Sequence, residues 1–409
     1  MTENGENEDF IPAMAITEAS NPVFKNPIEG VYTANIPIAG CAWVETEEGV
    51  ILFDTMLTPV AAEKVAEKIK GPIKYIIYSH GHMDHVGGAK MFLKDNPEII
   101  ANKYLPTRFE KYTMLAEHQA IMNSEQFNLP KIKRPIEFVY PTKTFLGDMT
   151  IKLGGKTFEL HTARGETDDA VWCYCHELNA AFIGDLIIGP HFPNIGNPWK
   201  PTRFALDWAK ELERIREFKP EYLFTNGGSI LFKGEKAMRA LNDNIEAIRS
   251  LHDQVIQFIN QDMHITEMIH AVKLPEHLEK SPFLKQIYSK TEFFVYNTYR
   301  WYHGYYDHNP AHLIPRPEKE VMKEIYNLIG DPDKILNKAK ELFADGKTQL
   351  ALQVLDVLLQ VNHEDVEALK LRIKLVKNLG SNDKCLMSRN AYYYSVKQDK
   401  KKLHKIKRI

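Results

Sequence analysis

The residues best suited to chemistry lie in one short stretch, SHGHMDHVGG, which directly follows the apolar segment KYIIYS. This stretch places His80, His82, Asp84 and His85 on a loop at the end of a predicted strand. Imidazole and carboxylate groups are the ligands that zinc or iron selects, and a catalytic metal site keeps one coordination position for water. A lone histidine is more often structural, but four ligand residues in H-x-H-x-D-H spacing predict a catalytic metal site.

The segments around this loop predict an α/β layer structure. Two β-rich runs, VYTANIPI and GCAWVETEEGVILFD, precede a helix with Thr58 as its predicted N-cap and Pro59 as its first residue. Gly71 ends that helix and KYIIYS forms the next strand, so strand, helix and strand follow one another as in a layered fold. Further strands are predicted at residues 98–102, 136–140, 149–153, 156–162, 170–175 and 181–183.

The second half of the chain has a different pattern. From about residue 201 the periodicity changes to that of helices, and a long amphipathic helix is predicted at residues 233–261. We therefore place a domain boundary near residue 236. The predicted segments are an N-terminal tail (1–29), an α/β domain (30–236), a helical domain (237–395) and a solvated basic tail (396–409).

One part of the helical domain, residues 344–380, resembles a helical-hairpin repeat of the tetratricopeptide kind. A single repeat of this kind cannot bury both of its faces. We therefore expect this hairpin to pack on a partner or on another subunit.

Composition excludes several functional classes. The chain has 409 residues and a formal net charge of -2, which argues against a nucleic-acid-binding protein with a basic face. No stretch approaches the roughly 20 apolar residues of a membrane helix, and the first residues, MTENGENEDF, are acidic rather than signal-like. The 4 cysteines are too few for a disulfide scaffold of this length. The sequence thus predicts a cytoplasmic protein without nucleic-acid partners or stable membrane association.

SHGHMDHVGG resembles the metal-binding signature of the metallo-β-lactamase superfamily. The resemblance implies an αββα sandwich with a two-metal site along one edge. His80 and His82 would bind the first metal, and Asp84 and His85 the second. Asp54, which follows the strand VILFD, matches the buried aspartate that braces the metal loop in this family.

Two further matches are similar to the alkylsulfatase branch of that superfamily. The motif GETDDAVW carries Glu166 where most members have a histidine, and Asp185 in FIGD stands where the family has its metal-bridging carboxylate. Asp168 and Asp169, which follow Glu166, could brace His82 or His85 from outside the metal shell.

The stretches LPEHLEKSPFLKQIY and YNTYRWYHGYYDHNPAHLIPRPEKE also look like those joining the catalytic and dimerisation regions of alkylsulfatases. This resemblance implies that the α/β domain is catalytic and that the helical domain forms a homodimer. It also implies that the C-terminal lipid-carrier-like domain of many members is missing.

One position departs from the family pattern. The second metal normally receives a last histidine from the loop after the final strand, but here LFTNGGSILF places Gly227 at that position. A glycine has no side chain with which to coordinate a metal. Three alternatives follow: Asp84, His85, Asp185 and water hold the second ion, or another histidine such as His191 replaces the ligand, or the second site is empty.

The expected function is metal-dependent hydrolysis of an alkyl sulfate ester by a metal-activated water. We expect zinc, two ions per chain, although another divalent metal would also suit these ligands. Asp84 and Asp185 are the predicted catalytic carboxylates, and Asp185 would bridge the two ions and orient the attacking water. The predicted substrate-binding residues are Arg164, Arg203, Arg300, Tyr296, Tyr299 and His303.

Two other functions remain open from the sequence. The same scaffold could hydrolyse a lactone, a thioester or a phosphoester, because a fold alone does not choose the substrate. The chain could also be a catalytically impaired relative, because Gly227 replaces a ligand.

Overall fold

The computed structural model describes residues 21–128, 137–228 and 230–406. Within these ranges the chain forms two compact units, one from residues 21–121 and 137–303 and the other from residues 122–128 and 304–406. None of the helices in the described ranges is both long and apolar enough to span a bilayer. The expected cytoplasmic location stays a prediction.

The first unit contains two β-sheets. The first sheet has the strand order β1-β2-β3-β4-β5-β6-β7, and the second β13-β12-β11-β10-β9-β8. In chain order the strands are β1 Val23–Ile28, β2 Val31–Ile36, β3 Ala39–Thr46, β4 Gly49–Phe53, β5 Ile73–Ile77, β6 Glu98–Asn102, β7 Lys143–Phe145, β8 Asp148–Leu153, β9 Lys156–Ala163, β10 Ala170–Cys175, β11 Ala180–Phe182, β12 Tyr222–Thr225 and β13 Ile230–Lys233.

The helices of the chain lie between and after these strands. They are α1 Pro59–Ala66, α2 Met83–Val86, α3 Leu105–Met114, α4 Ala116–Gln126, α5 Ala205–Glu217, α6 Glu235–Asn260, α7 Ile265–Ala271, α8 Glu276–Glu279, α9 Thr291–Tyr302, α10 Pro310–Leu313, α11 Glu318–Ile329, α12 Pro332–Ala344, α13 Thr348–Val361, α14 Val366–Asn382 and α15 Leu386–Ile406. Short 3-10 turns occur at Ala89–Asp95, Gly184–Leu186 and Asn226–Gly228.

Three apolar layers make the first unit an αββα sandwich. The inner faces of the two sheets share a core that includes Phe53, Phe158 and Phe182, and the rings of Phe53 and Phe182 stack with centroids 4.2 Å apart. Helices α1 and α3 cover the outer face of the first sheet, and helices α5, α6 and α9 cover that of the second. This architecture, followed by a helical segment, confirms the predicted fold class.

The pairing of the strands explains where the site forms. Strands β4, β5 and β6 are parallel, so their carboxyl ends meet at one edge of the first sheet. In an open sheet, loops that leave the carboxyl ends of parallel strands converge and form ligand sites. Asp54 follows β4 and His80 follows β5, so both leave the sheet at this edge.

The helix cap predicted from the sequence is present in the structure, and two glycines form a hairpin turn. Thr58 caps α1, because its hydroxyl oxygen accepts a hydrogen bond from the backbone N–H of Ala61 at 3.3 Å. Gly154 and Gly155 both have positive φ angles in the turn between β8 and β9, as the common two-residue hairpin turns require.

The predicted strand at residues 136–140 is wrong for its described part. Residues 137–140 have no regular structure, and β7 lies later in the chain. Their apolar side chains pack on a helix instead: the ring of Phe138 stacks on Phe109 of α3 with centroids 4.1 Å apart. The hydroxyl of Tyr78 donates to the carbonyl oxygen of Val139 at 3.1 Å. Residue 136 lies outside the described ranges.

Both predicted tails differ from the structure. Residues 23–28 form β1, which pairs antiparallel with β2, whereas residues 1–20 lie outside the described ranges. Residues 396–406 continue helix α15, and Leu403 and Ile406 pack against the core of the second unit. The basic side chains therefore lie on one face of this helix, and apolar side chains lie on the opposite face. At this end of the chain, only residues 407–409 lie outside the described ranges. The boundary near residue 236 stays a prediction.

In the second unit, helices that follow one another along the chain pack against each other. Helices α13 and α14 form a helical hairpin at the position predicted for residues 344–380. Its core includes Leu342 of α12, Leu355 of α13 and Leu375 of α14, so α12 covers one face of the hairpin. The likeness of this hairpin to a tetratricopeptide repeat stays a prediction.

Candidate metal centre

The loop from Ser79 to His85 is held by the carboxylate of Asp54. One oxygen of Asp54 accepts from the backbone N–H of Ser79 at 2.7 Å, and the other accepts from the Ser79 hydroxyl at 2.7 Å. The second oxygen also lies 2.7 Å from Nδ1 of His85. Asp54 has a left-handed backbone, φ 61°, which is uncommon for a residue other than glycine. The predicted bracing contact of Asp54 is thus present in the structure.

Five of the predicted ligand residues come together. Possible ligand atoms of His80, His82 and Glu166 lie within 4.8 Å of one another, as do those of His80, His85 and Asp185. Nε2 of His80 is 2.8 Å from Nδ1 of His82, so the two imidazoles face the same point. His80 belongs to both groups and therefore lies at their junction.

Asp84 stands at the edge of this cluster. One of its carboxylate oxygens is 3.4 Å from Nε2 of His85, but Asp84 belongs to neither group of three. Its side chain is about one-third exposed, whereas His85 and Asp185 are buried. Asp84 therefore lies between the buried ligands and solvent.

Unpartnered atoms show that these residues fit a metal ion. Among the residues that the structure describes, none offers a hydrogen-bond partner to Nε2 of His85, Oε2 of Glu166 or Oδ1 of Asp185, although all three atoms are buried. Buried polar atoms are almost always hydrogen-bonded, and two carboxylates without a donor would repel each other. A divalent cation would satisfy the unpartnered nitrogen and both carboxylate oxygens together.

The electrostatics of the cluster favour the metal-binding form of two of its three histidines. Burial lowers the pKa values of His80 and His82 well below the ordinary value, and the positive charges of Arg108 and Arg203 lower them further. Both imidazoles are therefore neutral at pH 7, which is the form that binds a metal. His85 differs, because three carboxylates overcome the effect of burial and raise its pKa well above the ordinary value.

Glu166 is the most perturbed carboxylate of the site. Burial raises its pKa to about 8 against the positive charge of Arg203, and the nearby carboxylates Asp185 and Asp84 raise it further. Without a cation, this carboxyl therefore holds a proton at neutral pH, which a bound metal would displace.

Of the predicted substrate-binding residues, Arg203 lies in the cluster but contacts a ligand. Its guanidinium group donates to Oε1 of Glu166, and both side chains are buried. Arg164 instead pairs with Asp207 at 3.0 Å and lies over the ring of Phe204, with much of its side chain exposed.

The other four predicted substrate-binding residues lie on or next to helix α9. Tyr296 and Arg300 are exposed, and the ring of Tyr299 stacks on that of His303 with centroids 4.5 Å apart. None of these four belongs to the two groups of ligand atoms among the described residues. Their substrate-binding role stays a prediction.

Several residues at the site were missed or only partly foreseen from the sequence. Lys200 lies near Glu166 and Asp84, whose charges act on it, and burial together with the positive charge of Arg203 lowers the pKa of Lys200 to about 8. Burial and the charges of the same two carboxylates raise the pKa of Tyr288. Neither residue lies in a recognisable motif, so only the folded loops reveal them.

Asp169 supports the metal loop in a way that differs from the expectation. It does not contact a histidine ring; its Oδ2 accepts from the backbone N–H of Gly81 at 2.9 Å, between His80 and His82. Its Oδ1 accepts from Nε of Arg108 at 2.7 Å. A β-carbon on Gly81 would lie 2.9 Å from that Oδ2, so glycine permits this close approach.

Family models match two separate parts of the chain. Residues 40–227 match the model described as metallo-beta-lactamase superfamily, and residues 264–402 match the model described as alkyl sulfatase dimerisation. The chain thus contains a metallo-beta-lactamase domain followed by an alkyl sulfatase dimerisation domain. A divalent-metal site is therefore expected from the family as well as from the ligand cluster.

Curated relatives of this chain include named alkylsulfatases. A linear primary-alkylsulfatase from a Pseudomonas strain is 25% identical over 390 residues, which cover 88% of this chain and 74% of that protein. An (R)-specific secondary-alkylsulfatase from Pseudomonas sp. is 23% identical over 402 residues, and an alkyl/aryl-sulfatase of Saccharomyces cerevisiae is 22% identical over 391 residues. This chain spans only 60% of the length of each of the last two.

Solved structures support the fold. The stereoselective inverting sec-alkylsulfatase Pisa1 from Pseudomonas sp. matches with a TM-score of 0.84 and 18% sequence identity, over 96% of this chain and 69% of that one. A double mutant of the same sec-alkylsulfatase also matches with a TM-score of 0.84, at 19% identity, over 94% of this chain and 67% of that one. These likenesses support the fold of the chain, a metallo-beta-lactamase sandwich followed by helices.

The loop around Gly227 in the metallo-beta-lactamase domain has no room for the family's last ligand. Gly227 has a left-handed φ of 63°, and a β-carbon placed on it would lie 2.6 Å from the carbonyl oxygen of Gly40. It would also lie 3.3 Å from Oδ2 of Asp54. The backbone here, and not only the residue type, therefore excludes a side-chain ligand.

The alternative ligand His191 is also not in the cluster. His191 forms an isolated bridge with Lys285 and is half-buried, and it belongs to neither group of ligand atoms among the described residues. Of the three alternatives for the second ion, this finding disfavours the substitute histidine.

Proposed function

We propose that this chain is a metal-dependent hydrolase of alkyl sulfate esters. The observation that carries the proposal is the buried cluster of imidazole and carboxylate groups in which atoms of His85, Glu166 and Asp185 have no hydrogen-bond partner. The substrate class is supported by the relatives, which are named alkylsulfatases, and by the alkyl sulfatase dimerisation model that matches residues 264–402 of this chain.

The proposed ion is zinc, because neutral imidazoles and carboxylates are its usual ligands. His80, His82 and Glu166 would hold the first ion. His85, Asp185 and Asp84 would hold a second ion more weakly, because Gly227 supplies no further ligand. A cation in this position supplies a Lewis acid and lowers the pKa of a water molecule beside it.

The remaining chemistry falls to carboxylates and a lysine of this chain. Asp185 has one oxygen 3.4 Å from Nε2 of His85 and the other without a donor among the described residues, so the carboxylate can hold the ion and still accept a hydrogen bond from the attacking water with a remaining lone pair. Asp84 is part-exposed at the edge of the cluster, so it can receive the proton and release it to solvent.

Lys200 is the proposed partner of the sulfate group. With a pKa of about 8 it is mostly cationic at pH 7, and it lies beside the carboxylates of the cluster. An ammonium group there can donate to the oxygens of a sulfate ester. The predicted roles of Arg164, Arg300, Tyr296, Tyr299 and His303 stand as further proposals for substrate binding.

We also propose that the chain is a homodimer whose contact includes helix α11. The residues on this helix are exposed or half-exposed, and Val321, Ile325 and Leu328 follow one another at i, i+4 and i+7. Leu328 is 87% exposed, which is unusual for a leucine on a helix with an apolar stripe. The stripe lies inside residues 264–402, which match the dimerisation model.

The test of the hydrolase proposal measures sulfate released from hexyl and octyl sulfate. We expect release by the zinc-loaded protein, loss of release after chelation, and its return when zinc is added. His82→Ala should abolish release, whereas His176→Ala should not, because His176 lies on the surface and pairs with Glu159. Lys200→Met should raise KM more than it lowers kcat.

Two outcomes would replace this proposal. Cleavage of a lactone, thioester or phosphoester without sulfate release would assign another substrate class. Metal binding without hydrolysis of any of these esters would identify a catalytically impaired relative, which the closed loop at Gly227 would explain.

A further inference from the structure

The two oxygens of Glu166 have different surroundings. Oε1 accepts from Nδ2 of Asn194 at 2.7 Å and from the guanidinium group of Arg203. Oε2 is buried and has no donor, and the carboxylate belongs to the same group as His80 and His82. Hydrogen bonds from the protein thus hold Oε1 in place, whereas Oε2 is available to bind an ion.

Arg203 is itself held at three points. Its guanidinium group also donates to the carbonyl oxygen of Asn194 at 2.5 Å. Its backbone N–H donates to Oδ1 of Asn297 at 2.6 Å, and its carbonyl oxygen accepts from Nδ2 of Asn297 at 2.9 Å. Asn297 is a buried residue of helix α9, and its side-chain amide therefore pairs with both polar backbone groups of residue 203.

A glutamate ligand needs this support more than a histidine would. Its side chain has one more rotatable bond than histidine, so more conformational freedom must be lost before its oxygen faces the ion. The contacts of Arg203 and Asn194 are buried, where hydrogen bonds to a charged group are strong and water does not compete.

We propose that Arg203 and Asn297 are positioning residues that hold Glu166 in the orientation required of a metal ligand. The proposal rests on the metal site proposed above. Asn297 lies within residues 264–402, so the segment that matches the dimerisation model supports a ligand of the metallo-beta-lactamase domain. Arg203 accordingly acts on the ion through Glu166 rather than on the substrate.

The experiment measures the zinc dissociation constant of the full-length, metal-free protein by competition with a chromophoric chelator. Asn297→Ala should weaken zinc binding by about 10- to 100-fold, as expected when support of a ligand is lost. The matched control is Asn244→Ala, which also removes a buried helical amide; Asn244 donates only to the carbonyl oxygen of Ala240 on its own helix. That control should bind zinc as the wild type does.

Arg203→Lys provides a second variant that keeps the positive charge. A single ammonium group cannot reproduce the fork that contacts both Glu166 and Asn194, so zinc binding should weaken and the visible absorption of the cobalt-loaded protein should change. If Asn297→Ala and Arg203→Lys bind zinc as Asn244→Ala does, the positioning role is refuted while the metal site stands. If the wild type binds no zinc, both proposals are refuted.

Discussion

Nδ1 of His85 lies 2.7 Å from a carboxylate oxygen of Asp54, and the same carboxylate accepts hydrogen bonds from Ser79. Asp54 follows β4 and His85 follows β5, so this contact joins the ends of two parallel strands. It leaves Nε2 of His85 facing Asp185 and Asp84, each 3.4 Å away. One buried carboxylate thus fixes both the path of the metal loop and the orientation of a ligand.

Replacing this carboxylate should weaken metal binding. In Asp54→Asn, the amide nitrogen cannot accept a hydrogen bond, so one of the two accepting atoms of the carboxylate is lost. The imidazole of His85 then loses the partner that fixes its orientation. We expect the zinc dissociation constant to rise by about 10- to 100-fold, as for other supports of metal ligands. Competition with a chelator measures this, and an unchanged constant would show that the loop is oriented by other contacts.

Zinc affinity should rise with pH up to about 8. Burial raises the pKa of Glu166 to about 8, so below that pH a proton competes with the ion for the carboxylate. Each proton displaced changes the apparent dissociation constant by about tenfold per pH unit. His80 and His82 do not compete near neutral pH, because burial lowers their pKa values. An affinity that is constant between about pH 6 and 8 would contradict a Glu166 ligand.

The stability of the metal-free protein should fall as pH rises, whereas the zinc affinity should rise. A carboxyl whose pKa is raised in the folded state contributes stability below its unfolded pKa, and this contribution is lost as pH rises toward the folded pKa of about 8. The metal-free wild type should therefore lose thermal stability between about pH 5 and 8. Glu166→Gln removes the titrating group and should show a smaller loss over the same range.

Installing a histidine at the family's ligand position should not restore a second site. In Gly227→His, the β-carbon would meet the carbonyl oxygen of Gly40 at 2.6 Å, so the backbone must move or the loop must unfold. Gly155→His is the matched control, because it has a similar left-handed φ of 71° but nothing lies within 4 Å of its β-carbon. The control should lose about 1–2 kcal/mol of stability from the backbone alone.

We expect Gly227→His to lose more stability than that control in thermal or denaturant unfolding, without an increase in metal content. A variant that folds as well as the control and binds one additional ion per chain would show that the loop adapts to a ligand. The second site would then be lost only because of the residue type.

The exposed stripe on α11 gives a prediction for assembly. Val321→Lys combined with Leu328→Lys places charges on the apolar face, and burying them in an interface would be costly. We expect light scattering after gel filtration to give the mass of two chains for the wild type and of one chain for this variant. Leu146→Lys, an exposed leucine in the turn before β8, should leave the mass at two chains. A dimeric double variant would locate the interface elsewhere.

The sequence was sufficient to locate the candidate site residues that follow strands directly. His80, His82 and His85 lie in one short motif, and Asp54, Glu166 and Asp185 each follow a strand whose end faces the same edge of the sandwich. Short apolar runs define such strands locally, so the side chains at their ends can be located before the fold is known.

The sequence was not sufficient for residues whose position depends on the path of a loop. Arg203 was predicted to bind substrate, but the segment between β11 and α5 turns it inward onto Glu166. Its partner Asn297 lies 94 positions further along the chain, and no local pattern links the two residues. Lys200 was missed for the same reason, because its proximity to Glu166 follows from the folded loop alone.

Elemental analysis of the purified, zinc-reconstituted protein tests the central claim most directly. His80 belongs to both groups of ligand atoms, so the wild type should retain one or two zinc ions per chain and His80→Ala should retain almost none. The surface variant His176→Ala should keep the wild-type content. A wild type that retains no divalent metal, or a His80→Ala variant that retains the full content, would contradict a metal site built from these residues.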